Sequence, residues 1–194
     1  MSSLSPNSLP EKVVFIDRDG VINRDSNTYI KSWSEFRFLP HSLQALEKLA
    51  RHNFRSFLIT NQSAINRKLI TPETLTQIHC NMMAEIAAAG GRIDDIFFCP
   101  HLPREDCDCR KPKPGLIRAA QKKYNIHLAS SYMIGDSAKD IICAHRAGCG
   151  CALLVKTGNY NTAVTALASA GIRPDHHASD LYDAVNWIIT HAGQ

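Results

Sequence analysis

The sequence predicts a doubly wound α/β fold, a parallel sheet covered by helices on both faces. Three observations predict it. Short apolar runs alternate with helical patterns along the chain, each conspicuous polar group follows an apolar run, and no repeat, linker or second hydrophobic unit interrupts the series. Such sheets bind ligands beyond the carboxyl ends of their strands, so the polar groups are expected at one common edge.

The first strand is read at residues 13–16, Val-Val-Phe-Ile, ending at Asp17. Residues 56–60 repeat the pattern and end in Thr60-Asn61-Gln62-Ser63, and residues 95–99, 132–135 and 151–155 supply three more strands. Helices are read between them. Residues 41–52 place Leu43, Leu46 and Leu49 on one face, and Thr71-Pro72-Glu73 opens a long helix as a polar cap followed by proline. Residues 114–124, 138–147 and 180–189 complete the set. The span between the first two strands, residues 17–55, is too short for a large lid domain, so the site is expected to be open or shielded by loops.

Composition narrows the class. With 194 residues, 44% hydrophobic and 21% charged, the chain matches ordinary globular averages, which excludes a disordered or fibrous class and fits one domain. Residues 1–10 carry no charged side chain and read as a loose tail without a signal peptide, leaving residues 11–194 as the domain. No run of eighteen apolar residues occurs, so no membrane partner is expected. A net charge of +4 is too small to argue for nucleic acid but suits a small phosphorylated metabolite. Seven cysteines, with no export signal, favour a reducing cytoplasm and a metal site over a disulfide framework. Cys80, Cys143, Cys149 and Cys151 lie in apolar stretches and read as small core residues, and the pair His176-His177 reads as surface or core.

Asp17-Arg18-Asp19-Gly20 sets two carboxylates at i and i+2 directly beyond a strand, where they can converge on a cation such as Mg²⁺ if Gly20 lets the chain turn. The pair also offers a nucleophile beside a general acid and base. A solvated loop with a helix-capping aspartate is the competing reading. Asp136, after Gly135, and Asp140 one helical turn on form a second acidic element. Thr60-Asn61-Gln62-Ser63 offers a hydroxyl and backbone N–H groups as a cradle for phosphate oxygens, and Arg110-Lys111-Pro112 supplies fixed positive charge. Cys99-Pro-His101 and Cys107-Asp-Cys109 gather three thiols and an imidazole, a donor set that points to a closed structural Zn²⁺ site in a loop spanning residues 99–109. That loop would fix the chain just before Arg110 and Lys111.

Together, Asp-x-Asp-Gly, Thr-Asn-Gln, Lys-Pro and Gly-Asp-x-x-x-Asp, each at a strand end or in the expected loop, resemble the haloacid dehalogenase-like (HAD) phosphatases. The resemblance implies a Rossmann-like HAD fold without a large cap. It also implies an aspartyl-phosphate mechanism with Asp17 as nucleophile and Asp19 as acid and then base. Mg²⁺ would sit on Asp17, the Asp19 carbonyl and Asp136, Thr60 and Lys111 would hold the phosphoryl group, and Asp140 would lie behind Lys111 or a metal-bound water.

Residues 13–189 resemble more narrowly the D-glycero-D-manno-heptose 1,7-bisphosphate phosphatase family, with histidinol-phosphate phosphatases as near relatives. Asn23-x-Asp25 followed by Tyr29 is similar to the former, while Ala64, Asn66 and Lys68 stand where that family often has Gly, Ala and Gly. The resemblance implies a sugar bisphosphate as substrate, met by Asn23, Asp25, Asn61, Arg110 and Lys111, and a role in heptose supply for lipopolysaccharide. A monomer is expected. A polynucleotide end phosphatase shares the acidic and Thr-Asn-Gln motifs but calls for stacking aromatics and a basic groove, and 7% aromatics with no basic run argue against it. A non-catalytic zinc module would have no need of the Asp17–Asp19 pair.

Overall fold

In the computed structural model, which describes residues 11–192, six strands join in one sheet. They are β1 (Val13–Ile16), β2 (Arg55–Asn61), β3 (Asp95–Cys99), β4 (Ser131–Gly135), β5 (Cys151–Val155) and β6 (His176–Ala178). Their order is β3-β2-β1-β4-β5-β6 and every neighbouring pair is parallel. The order reverses between β1 and β4, and a crevice opens at such a switch point beyond the carboxyl ends. Ile16 pairs with Leu58 and Ile134, and the ladder runs one residue further where the Asp17 N–H donates to the Ile134 carbonyl at 3.0 Å.

The period of two along each strand divides the core. Val14, Ile16 and Leu58 face one side, with α1 (Ser42–Arg51), α2 (Pro72–Ala88) and α6 (Leu181–His191). Val13, Phe15, Phe57 and Ile59 face the other, with α3 (Gly115–Tyr124), α4 (Ala138–Ala147) and α5 (Tyr160–Ser169). Both faces are buried, so the central strands are apolar throughout. The proposed cap of α2 forms as read: the Thr71 hydroxyl accepts from the Thr74 N–H at 3.2 Å, and Pro72 opens the helix.

Five strands and five helices fall where the sequence pattern put them, within a residue or two. Two elements escaped it. β6 is a three-residue edge strand containing His176 and His177, too short for a periodic signal. α5 buries only Ala163 and Leu167, and small residues at that spacing do not read as an apolar stripe. Cys80 is a correction: it lies on the exposed side of α2, whereas Cys143 is buried and Cys149 and Cys151 are half-buried. Residues 1–10, read as a tail, lie outside the described residues. Among the described residues, no helix is long and apolar enough to cross a membrane.

Arg18 is the largest side chain buried to under 2% exposure. Burying a guanidinium requires that its donors be matched. Its Nη2 donates to both carboxylate oxygens of Asp19 at 2.9 and 3.0 Å, and its Nη1 lies 3.2 Å from His79 Nε2 on α2. His79 must therefore be neutral and accepting. Burial, then the Arg18 charge, pushes its imidazole down from 6.5 to about 3, against a smaller upward pull from Asp19. The unfolded chain thus takes up a proton below pH 6.5 that the folded chain refuses. The His79 contribution is complete above pH 6.5 and is lost as pH falls toward 3.

Two stability outcomes follow from this packing. Leu58→Ala should lower the free energy of urea unfolding by about 2–5 kcal/mol, because Leu58 is fully buried in a central strand. Leu69→Ala, at 46% exposure, should change it by under about 0.5 kcal/mol. Comparing unfolding at pH 7 and pH 5, the wild type should lose about 2 kcal/mol more than His79→Gln, whose amide still accepts from Arg18 but does not titrate. Equal losses in the two proteins would remove His79 as the source.

Candidate active site

Asp17 follows β1 at the switch point. Its Oδ1 accepts from the Arg18 backbone N–H at 2.7 Å and sits 2.8 Å from Lys111 Nζ. Among the described residues no donor reaches Oδ2, which leaves that oxygen free for chemistry. Lys111 arrives on the loop before α3 and is 2% exposed. Its ammonium meets three acceptors, Asp17 Oδ1, Asp140 Oδ1 at 2.6 Å and the Ile59 carbonyl at 2.7 Å. Burial alone would lower the Lys111 pKa, but Asp140 and Asp17 outweigh it and hold it above the ordinary lysine range.

Asp136 follows β4, and Asp140 lies in the first turn of α4. Both oxygens of Asp140 have partners. Oδ2 accepts from the Ser137 N–H at 3.0 Å and hydroxyl at 2.6 Å, closing the helix cap, while Oδ1 meets Lys111. Carboxylate oxygens of Asp17, Asp136 and Asp140 lie within 4.8 Å of one another. Three carboxylates against one ammonium leave an excess of negative charge in a buried place. Burial, with Asp140 and Asp136 adding to it, pushes Asp17 up to about 8 despite Lys111, and burial followed by Asp140 pushes Asp136 up to about 6. A hard divalent cation would remove that excess, and oxygen-only donors suit Mg²⁺. The donor set therefore fits the metal, with Asp17 and Asp136 having an oxygen available and Asp140 holding Lys111. Gly20 allows this approach: its φ is +81°, and a Cβ there would stand 2.4 Å from Asp136 Oδ2.

Asp19 occupies a different environment. Besides the Arg18 fork, its Oδ1 accepts from Asn23 Nδ2 at 2.9 Å and its Oδ2 from Gln62 Nε2 at 2.8 Å. Burial would raise its pKa, yet Arg18, Asn23 and Gln62 together hold the carboxyl below the ordinary range. The same Gln62 amide donates to Thr60 Oγ1 at 2.8 Å, tying the hydroxyl at the end of β2 to Asp19.

A cavity of about 300 Å³ covers these groups, lined by Asp17, Asp19, Thr60, Arg110, Lys111 and Asp136 among others. Asp25 and Tyr29, from the loop after the Asp17 turn, form part of its wall, so a loop supplies shielding where a cap is lacking. Lys139, exposed near the start of α4, and Asn159 also line it.

Two residues expected at the substrate have their side-chain amides engaged within the protein. Asn23 is fully buried and lies outside the cavity lining; its amide donates to Asp19 and to the Arg24 carbonyl at 2.8 Å. Asn61 does line the cavity, but both ends of its amide serve Lys111. Its Oδ1 accepts from the Lys111 N–H at 3.1 Å and its Nδ2 donates to the Lys111 carbonyl at 3.2 Å, a side-chain imitation of strand pairing that clamps the lysine backbone. Short amide side chains beside a turn satisfy nearby backbone or carboxylate groups first.

Cys99, His101, Cys107 and Cys109 converge. Cys99 Sγ lies 3.5 Å from both His101 Nδ1 and Cys107 Sγ, and Cys109 Sγ lies 3.2 Å from His101 Nδ1 and 3.4 Å from Cys107 Sγ. Tetrahedral Zn²⁺ with bonds of about 2.3 Å to sulfur spaces its ligands by about 3.5–3.8 Å, so the set fits that ion. The cluster touches the site through the backbone. The Gln62 N–H donates to the Cys99 carbonyl at 2.7 Å, and Arg110 Nη1 donates to the His101 carbonyl at 3.0 Å.

Four contributors had no assigned role in the sequence reading: Arg18, Gln62, His79 and Asn159. Gln62 lay inside a recognised motif, and Asn159 lies after β5 on the same sheet edge, where the strand-end rule points. His79, in mid-helix, gave no signal.

A family model described as HAD-hydrolase-like matches residues 108–184. The D-glycero-beta-D-manno-heptose-1,7-bisphosphate 7-phosphatase of Bordetella bronchiseptica is 44% identical over 148 residues, covering 76% of this chain and 82% of that protein. The Pseudomonas putida enzyme of the same name is 42% identical over 147 residues, covering 76% and 83%. A crystal structure of D,D-heptose 1,7-bisphosphate phosphatase from B. bronchiseptica, complexed with magnesium and phosphate, superposes with a TM-score of 0.87 at 39% identity, covering 93% of this chain and 99% of the other. With an acidic and basic cluster at the switch point and the fold matched along nearly its whole length, the chain is a phosphatase and belongs to the D-glycero-D-manno-heptose 1,7-bisphosphate phosphatase family of HAD-like hydrolases.

Proposed function

We propose that this phosphatase is Mg²⁺-dependent and removes the C7 phosphate of D-glycero-D-manno-heptose 1,7-bisphosphate through an aspartyl-phosphate intermediate. The observation that carries the chemistry is the buried cluster in which Lys111 bridges Asp17 and Asp140 at 2.8 and 2.6 Å beside Asp136. The relatives' substrate supports the choice of sugar bisphosphate.

In this reading the free Oδ2 of Asp17 attacks phosphorus, while Lys111 and the Arg18 N–H hold Oδ1 and fix the carboxylate plane. The bond from phosphorus to the sugar oxygen breaks, and Asp19 donates a proton to that oxygen. Asp19 then takes a proton from water, whose oxygen attacks the phosphorus and releases phosphate and the Asp17 carboxylate. The Arg18, Asn23 and Gln62 donors favour ionised Asp19, which suits the second step. Acting as an acid requires the carboxyl to leave part of that fork. Lys111 and Thr60 meet the phosphoryl oxygens. Asp17, the Asp19 carbonyl and Asp136 would hold Mg²⁺, which would supply charge neutralisation at the phosphoryl group.

Arg110 stands on the cavity wall with one guanidinium nitrogen bound to His101, and the rest of its fork suits the second phosphate. Asp25 meets the sugar hydroxyls. Zn²⁺ in the Cys99–His101–Cys107–Cys109 set holds the loop that carries Arg110 and Lys111. The enzyme acts as a single-domain monomer in the reducing cytoplasm, on heptose intermediates of lipopolysaccharide supply, without nucleic-acid or membrane partners.

Phosphate release with Mg²⁺ tests the reading. Heptose 1,7-bisphosphate should be strongly preferred over histidinol phosphate, and Asp17→Asn should abolish turnover. A preference for histidinol phosphate would reassign the substrate, whereas equal release by wild type and Asp17→Asn would reject Asp17 as nucleophile. Cys109→Ser should lower bound zinc measured by elemental analysis, lower Tm and reduce kcat together, since removing one ligand weakens the loop before Arg110 and Lys111. Full zinc occupancy in that variant would refute the assignment of Cys109.

A further inference from the structure

The loop after β5 contributes to the cluster although no motif marks it. The Asn159 backbone N–H donates to Asp136 Oδ2 at 2.9 Å, and its side-chain Nδ2 donates to the same oxygen at 3.1 Å. Oδ2 is thereby doubly occupied, and among the described residues no donor reaches Asp136 Oδ1. The remaining lone pairs of Asp136 lie on Oδ1, the oxygen left for a cation.

The loop itself is anchored. Thr157 Oγ1 donates to the Gly20 carbonyl at 2.5 Å, and the Lys156 N–H donates to the Ala178 carbonyl at 3.0 Å. Gly158 passes so close that a Cβ there would stand 2.0 Å from Asp136 Oδ2. Asn159 Nδ2 also lies 3.4 Å from Asp25 Oδ2, on the loop that forms the far wall of the cavity.

We propose that Asn159 is a positioning residue for the divalent cation: it fixes the rotation of the Asp136 carboxylate so that Oδ1 faces the metal. The inference rests on the Mg²⁺ reading of the Asp17–Asp136 pair. A carboxylate able to rotate loses cation affinity because ordering it must then come from the binding free energy, and partners of this kind typically alter metal affinity 10–100-fold. Asn159 is exposed and, although it stands at the N-cap of α5, its side chain makes no cap hydrogen bond there, so Asn159→Ala should leave the fold intact.

Calorimetric titration of the metal-depleted protein with Mg²⁺ alone tests this, with the zinc set loaded throughout. Asn159→Ala keeps the backbone donor and loses the side-chain donor, and its Kd for Mg²⁺ should rise about 10-fold. The Tm of the Mg²⁺-free protein should not move, and kcat should recover at saturating Mg²⁺, which separates positioning from structural damage. Gly158→Ala displaces Asp136 directly and should weaken Mg²⁺ by at least as much. Unchanged Mg²⁺ affinity in Asn159→Ala would overturn the proposal while leaving the cation site standing. Absence of Mg²⁺ binding by the wild type would instead overturn the cation site, and the Asn159 role with it.

Discussion

The site depends on one buried ammonium. The Lys111 ammonium lies against three oxygens supplied by different parts of the chain: it donates to the Ile59 carbonyl in β2 and forms ion pairs with Asp17 beyond β1 and Asp140 in α4. A lysine buried to 2% exposure is tolerated only when its charge is balanced, and the Lys111 charge in turn offsets part of the burial cost of Asp17. Because Lys111 does not sit on a strand, the rest of the structure must hold it. The Asn61 amide clamps its backbone, and the cysteine–histidine loop fixes the chain just before it.

The two aspartates of the Asp17–Asp19 pair stand two residues apart and live in opposite electrostatic settings. Asp17 is buried with two other carboxylates and is pushed up to about 8, whereas Asp19 sits in a guanidinium fork with two amide donors and is held low. Arg18 between them makes the difference. Its backbone N–H binds Asp17 while its side chain turns away under the loop to bind Asp19 and His79. The proposed nucleophile must be ionised, so a divalent cation beside Asp17 would be needed to bring its proton affinity down, whereas the fork already keeps Asp19 ionised for the step in which it takes a proton.

Sheet topology converts these local facts into one site. The strand order reverses between β1 and β4, so the loops that follow them face each other across a crevice, with the loop after β2 on one flank and that after β5 on the other. The β5 loop is the least conspicuous of the four. Its glycine and asparagine nevertheless press against Asp136, so the geometry of the acidic cluster is set by four strand ends and not only by the two that carry its acids.

By itself the sequence determined the alternation of strands and helices, the residues at three strand ends and the zinc-type donor set. Those signals are local: a two-residue or 3.6-residue period, a cap, a close spacing of thiols. What only the tertiary structure decided is which polar side chain faces which. Asn23 and Asn61 stand next to site residues in the sequence, yet one donates to Asp19 and the other staples Lys111, because each amide finds a carboxylate or backbone partner inside the fold. His79 and Asn159 reach the site from 61 and 23 residues away from the groups they touch. β6 was invisible for a related reason: three residues at a sheet edge become a strand only when β5 is there to pair with them. Local periodicity is written in the chain, but contacts between distant segments exist only once the core has brought those segments together.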